Sequence, residues 1–412
     1  MNRRKFINKT GSALVGMLLP IGTSSLSSRS PSPGTGAARN AESEAGTIKL
    51  FLSGDVMTGR GIDQILPHSV SPELKERFVK NARRYLELAE NKSGSIPKQV
   101  SYEYVWGDAL DILSKSEADA RIINLETSLT TQGDFWAGKG VHYRMHPKNV
   151  ELFKIAGIDA CILANNHVMD FGHPGLKETL NTLHEKGIKS AGAGTDSSKA
   201  STPAVIETGS GRLLVFSYGS PTAGVPGAWR AGQNEAGVNY LSDLSEDNAE
   251  ILIQTVKNYK MPGDRTVISI HWGSNWGYQI PGRQKAFAHR LIDSGAADVI
   301  HGHSSHHPKG IEVYKNRPIM YGAGDLINDY EGIGGRPQYR DDLSLMYFPR
   351  LNAGGELVSL EMIPMHINKF QLQHASENET EWLAETMNRE CKKLGSRVKL
   401  NEQGRLSLHW SS

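Results

Sequence analysis

Asp55, Glu126, Asn166, His167, His271, His303 and His306 are the side chains of this sequence best suited to hold metal ions and move protons. Each stands at or just beyond the end of a short apolar run, so the spacing places them at strand ends. Carboxylate, amide and imidazole donors together suit Mn, Fe or Zn. Two carboxylates on separate runs could supply a bridge between two such ions. Two divalent ions ~3.5–4 Å apart can clamp an in-line displacement and generate a hydroxide nucleophile near neutral pH. That chemistry serves phosphoester and amide hydrolysis alike. Cys161 and Cys391 are the only cysteines, which excludes a cysteine-rich zinc or iron–sulfur site. Cys161 lies in an apolar run and reads as core, and a disulfide to Cys391 is not expected.

The elements that must position these residues follow one pattern. Ile48 to Leu52 leads into Ser53-Gly54-Asp55, and Ala120 to Ile123 into Asn124-Leu125-Glu126. Ala160 to Leu163 leads into Asn165-Asn166-His167, Thr266 to Ile270 into His271, and Val299-Ile300 into His301-Gly302-His303. Pro318 to Tyr321 leads into Gly322-Ala323-Gly324-Asp325. Runs of this kind read as buried strands. Amphipathic helices are expected between them, over Pro147–Ala156, Pro174–Lys186, Asp247–Tyr259 and Arg283–Ser294. The alternation argues for an α/β fold, in which ligands gather at the carboxyl ends of strands. Pro72 to Asn91 reads as a helical insertion, with Leu74, Phe78, Tyr85 and Leu88 sharing a face. Residues 209–241, with Trp229 and Arg230, read as a Gly-rich loop over the site, and residues 376–394 as a terminal helix.

Six of these segments resemble, in order, the motifs of the CapA family associated with poly-γ-glutamate capsule synthesis. They are Gly54-Asp55-Val56-Met57-Thr58-Gly59-Arg60, Asn124-Leu125-Glu126-Thr127, Asn165-Asn166-His167-Val168-Met169-Asp170, His271-Trp272-Gly273, Gly302-His303-Ser304-Ser305-His306 and Tyr321-Gly322-Ala323-Gly324-Asp325. The likeness spans residues 47–330. It implies a four-layer αββα sandwich of the calcineurin-like metallophosphatase type and two divalent metal ions. On that reading Asp55, His303 and His306 hold one ion, Glu126 bridges, and Asn166 and His271 hold the other. His167 is then the general acid or a transition-state hydrogen-bond donor rather than a ligand, and Arg60 and Arg144 are candidates to grip an anionic substrate bidentately. The sequence departs from the pattern at three places. Met57 stands where ordinary metallophosphoesterases carry His, Ser304-Ser305 replace a His and a Pro, and Asp325 replaces an Asn. His301 and His307 are further imidazoles able to act as ligands. Asp170 reads as either orienting His167 or capping the helix that begins near His173, with the cap preferred, and Trp272 and Trp276 as either walls of the site or core.

The implied function is an exported metal-dependent hydrolase linked to poly-γ-glutamate, with an anionic polymer or phosphoester as substrate and a membrane-associated polymer synthase complex as partner. A non-catalytic polymer-handling scaffold and a general exported phosphoesterase are the alternatives. A net charge of +2 over 412 residues gives no reason to expect nucleic acid or anionic lipid as a partner. Hydrophobic residues at 38% allow a sizeable core. The start Arg3-Arg4-Lys5-Phe6 followed by the apolar run Ala13–Ile21 reads as a twin-arginine-like signal over residues 1–28. That implies a periplasmic or extracellular location. Residues 29–46 read as a Ser/Pro/Gly-rich linker, 47–370 as the CapA-like domain, and 371–412 as a C-terminal helix and tail.

Overall fold

A computed structural model describes residues 46–334 and 336–411. The signal and all of the linker but Gly46 lie outside the described residues. The rest is a mixed α/β protein built on a large mixed sheet. In spatial order its main strands are Ser396–Leu400, Leu406–Trp410, Leu357–Asn368, Leu343–Leu351, Ile48–Val56, Ala120–Leu125, Ala160–Ile162 and Lys189–Ala191. Ile48–Val56 pairs in parallel with Ala120–Leu125 and antiparallel with Leu343–Leu351. A second, six-stranded sheet runs Ile311–Tyr314, Arg317–Met320, Val299–His303, Arg265–His271, Gly211–Gly219, Ala204–Thr208.

Side-chain alternation along these strands sorts the core. Ile48, Leu50, Leu52, Ile122 and Ile162 of the large sheet share one buried cluster with Leu213, Val215, Val267 and Val299 of the smaller one. Leu383, Met387 and Cys391 of the helix Glu377–Lys392 join it. The odd-numbered neighbours, such as Phe51 and Ile123, pack instead on helices that include Arg83–Ser93 and Gly172–Glu185. Phe216, Ile268 and Ile300 pack on the helices Glu246–Lys257 and Gly282–Asp293. Each sheet therefore has one face toward the shared cluster and one toward helices.

Both cysteines are buried and free. The helices expected between strands form close to their expected bounds, and Ser376 closes a capping box with Glu379 at the start of the last one. Three expectations are corrected. The insertion is helical only over Arg83–Ser93, and Phe78, expected on its buried face, is 87% exposed. The Gly-rich stretch from 209 hides the strand Gly211–Gly219, whose apolar residues Leu213 to Phe216 all lie in cores. Its glycines sit at the strand's ends and in the loop beyond. The expected tail forms a hairpin, Ser396–Leu400 with Leu406–Trp410, that extends the large sheet.

Candidate metal centre

The carboxyl ends of parallel strands from both sheets meet at one place. Asp55 is the register partner of Asn124 and of Asp325, whose strand Asp325–Ile327 also pairs in parallel with Ile48–Val56. His271 and His303 are register partners on adjacent parallel strands. Close approach of the backbones requires glycine at position 54, where a Cβ would come within 1.7 Å of Gly324 O. All four of these acid and imidazole groups are buried.

Two sets of ligand atoms could each hold a metal ion: Asp55, His271 and His303, and Asp55, His306 and Asp325. Asp55 is common to both. Its Oδ1 accepts from Asn124 Nδ2 at 2.7 Å and its Oδ2 from Ser304 N at 3.2 Å. His271 Nδ1 and His303 Nδ1 face each other at 2.7 Å. His271 Nε2 donates to Asn166 Oδ1 at 3.1 Å, and His303 Nε2 lies 2.9 Å from Ser269 Oγ. His306 Nδ1 lies 3.0 Å from Asp325 Oδ1. Glu126 Oε1 is 3.8 Å from His167 Nε2 and 4.0 Å from His271 Nε2.

The grouping expected from the family likeness differs from this one. His303 sits with His271 rather than with His306, Asp325 joins His306, and Asp55 rather than Glu126 is the residue shared between groups. Asn166 and His271 are together, as expected. Asp325 could have been found from the sequence: it ends the sixth run as Asp55 ends the first. His301 is not among the grouped ligands. Its Nε2 donates to Ser53 O at 2.8 Å, tying the two sheets together. His307 accepts from Gly277 N at 3.1 Å and stacks on Tyr339 at the rim.

Burial dominates the electrostatics. It pushes the Asp55 carboxyl up to about 7, with Asp325 adding to the effect. It pushes Glu126 up as well, with Asp55 adding. Burial and then neighbouring imidazoles push His271 and His303 down. For His306, burial is outweighed by the Asp325 carboxylate, and the group rises. Glu126 Oε2 is buried with no hydrogen-bond partner. The cations nearby are already engaged: Lys139 with Asp170, and Arg60 with Asp329 and Glu76. An uncompensated buried charge costs on the order of several kcal/mol. Apart from the His306–Asp325 pair, carboxylates and imidazoles gather here with little counter-charge, a donor set that divalent cations fit.

His167 stands beside this centre and is 7% exposed. Its Nδ1 donates to Asp170 Oδ2 at 2.6 Å, and its ring meets Tyr143 edge-on at 4.5 Å. Burial pulls its imidazole down to about 4, against the pull of Asp170. Asp170 also accepts from Tyr143 N at 2.7 Å and pairs with Lys139. The helix Gly172–Glu185 starts with no side-chain cap, so Asp170 orients His167 instead of capping. Lys139, whose Nζ also binds Asn166 O, carried no sequence signal because it sits in the irregular segment after residue 130.

A cleft of about 440 Å³ opens over the centre, lined among others by Glu126, Asn166, His167, His271 and His306. Trp276 lines it, whereas Trp272 is core, stacked on Tyr321. Arg60 borders the cleft but is 5% exposed, gripped by Asp329 and Glu76 and lying 3.8 Å from the centre of the Tyr85 ring. Arg144 is not brought to the cleft. It lies 4.5 Å from the ring centre of Phe171 and lines a separate small recess. Arg230 is exposed over Tyr240.

Comparison with known proteins adds to this picture. A family profile described as bacterial capsule synthesis protein PGA_cap matches residues 49–330. A Mycobacterium tuberculosis protein named "probable polyglutamine synthesis accessory protein" is 45% identical over 354 residues, which cover 85% of this chain and 93% of its own length. Capsule biosynthesis protein CapA of Bacillus anthracis is 28% identical over 326 residues, 78% of this chain and 68% of its own. PGA biosynthesis protein CapA of Bacillus subtilis is 29% identical over 247 residues, 60% and 61% of the two chains.

Proposed function

The chain belongs to the bacterial capsule synthesis family PGA_cap, and from that membership we propose a metal-dependent hydrolase acting on a glutamate polymer or a related phosphoester. The observation that carries the proposal is Asp55: buried, pushed up to about 7, and common to two ligand groups beneath an open cleft. The order helices, sheet, shared core, sheet, helices supports reading the fold as the four-layer αββα sandwich of the calcineurin-like metallophosphatases.

Asp55, His271 and His303 would hold one divalent cation, and Asp55, His306 and Asp325 a second, with Glu126 and Asn166 alongside. Bound there, a divalent cation supplies Lewis acidity toward a phosphoryl or acyl oxygen. The chain's own residues supply the proton handling. Asp170 takes the Nδ1 hydrogen of His167, which leaves Nε2 as an acceptor on the cleft side. His167 is neutral at rest, so its Nε2 takes a proton from the attacking water and then gives that proton to the leaving group. Asp170 and Lys139 hold the ring in place. Arg60 contributes by fixing Glu76 and Asp329 at the cleft wall, and direct substrate contact by Arg60 or Arg144 is not part of the reading.

The relatives named for polyglutamine or PGA synthesis support a glutamate polymer as the substrate class. Export through the leader of residues 1–28, and work beside a membrane-associated synthase, remain part of the proposal. The test is metal analysis combined with two assays, chain-length analysis of poly-γ-glutamate and turnover of a chromogenic phosphodiester. Metal-dependent cleavage in either assay, lost in His167→Ala, supports the hydrolase. Bound metal with no cleavage of either substrate, and tight polymer binding, would favour the scaffold reading.

A further inference from the structure

The segment Pro72–Ala82, read from sequence as helix, is a finger. Leu74 N donates to Lys80 O at 3.0 Å and Ala82 N to Pro72 O at 2.7 Å, so its two limbs are tied. Leu74, Ala82 and Tyr85 form a small core at its base. Glu76 turns inward, 5% exposed, and binds Arg60 and the Tyr85 hydroxyl. The tip points the other way. Phe78 is 87% exposed, more than any other large apolar side chain among the described residues. Arg77 lies 5.0 Å from the centre of its ring. From Pro72 to Arg84 the chain carries Lys75, Arg77, Lys80, Arg83 and Arg84 against Glu73 and the inward Glu76.

The finger is not alone. Arg60 and Tyr85, which hold its base, line the cleft. Two other exposed apolar side chains, Val141 at 36% and Ile333 at 38%, line the same cleft from different loops. Arg336, over Trp276, lies three residues beyond Ile333 and also lines it. Val141 and Ile333 thus reach the cleft itself, and the finger stands on Arg60 and Tyr85 of its wall.

We infer that the Phe78 finger, with the cations around it, docks the protein on an anionic membrane surface. Cations reach lipid phosphates while an aromatic ring enters the boundary between headgroups and acyl chains. A single exposed aromatic ring flanked by cations suits a fluid surface, whereas a protein partner would be met by a contiguous apolar patch. A soluble polyanion offers charge for the cations but nothing for Phe78. The base, anchored on Arg60 and Tyr85 of the cleft wall, holds the tip in place before contact.

The test is sedimentation with vesicles of phosphatidylcholine alone and with added phosphatidylglycerol. It is run on the full chain and on the chain begun at Gly46, the first described residue. Wild type, Phe78→Ser and Arg77→Glu with Lys80→Glu are compared, with thermal melts to show that each is folded. The expected result is binding to the anionic vesicles only, weakened by salt and reduced about tenfold or more by either change. Wild type that ignores anionic vesicles, or variants that bind as wild type does, would overturn the inference. So would a Phe78→Ser change without effect beside a charge reversal that abolishes binding to soluble poly-γ-glutamate, which would make the finger a polyanion contact.

Discussion

Asp342, His366 and Glu379 also bring three ligand atoms within 4.8 Å of one another, as the residues around Asp55 do. The residue types are the same, and the electrostatics are opposite. At the second cluster Arg340 reaches both carboxylates, Nε to Asp342 at 2.7 Å and Nη2 to Glu379 at 2.9 Å. Glu379 also accepts from Ser376 N at 2.9 Å in the capping box. These partners hold Asp342 and Glu379 below the usual carboxylate range, against half-burial. At the cleft, Asp55 and Glu126 are pushed up, Glu126 Oε2 has no partner, and the nearby arginine and lysine are engaged elsewhere. What marks a metal site is unmet buried charge, and residue type alone does not tell the two clusters apart.

The sharpest way to break the contrast is Asp55→Asn. Removing the shared ligand is expected to lower metal content at both positions and to abolish hydrolysis, read by elemental analysis and the phosphodiester assay. Retention of both metals would remove Asp55 from its shared role. Next in size is His167→Ala, expected to cost about 10²–10⁴-fold in turnover with metal content unchanged. A parallel loss of metal would make His167 a ligand instead.

A subtler contrast appears in chelator, as a function of pH. Asp55 has a raised folded-state pKa, from an ordinary 3.8 to about 7. Its stabilising contribution is therefore present below the ordinary carboxylate range and lost as pH rises toward 7. Melting curves of metal-free wild type and Asp55→Asn from pH about 4 to about 7 should show the variant gaining on wild type. Asp342 and Glu379, with lowered values, contribute above the ordinary range and lose that contribution on acidification. A variant that loses ground as pH rises would reverse the sign assigned to the cleft. The smallest effect is Glu379→Ala, expected to cost about 0.5–1.5 kcal/mol through the lost capping-box hydrogen bond and to leave metal content untouched.

The strand ends were legible in the sequence because buried parallel strands advertise themselves as short β-branched runs, and Asp55, His271 and His303 stop those runs. The partition of ligands was not legible. Whether His303 sits beside His271 or His306 depends on strand order across the second sheet, which the runs do not encode. The strand Gly211–Gly219 was hidden because the glycines around it read as loop, and the finger because Tyr85, at helical spacing from Phe78, is held by Arg60 and Glu76 while Leu74 packs on Ala82 and Tyr85. Asp170 was misread for a related reason: its partner Lys139 lies 31 residues earlier in the chain.

The most direct test is anomalous scattering from crystals grown with saturating Mn or Zn. Two peaks beside Asp55 are expected, one near His271 and His303 and one near His306 and Asp325, with none at Asp342, His366 and Glu379. Saturated crystals with no peak beside Asp55, or with their peak at the Arg340 cluster, would contradict the account.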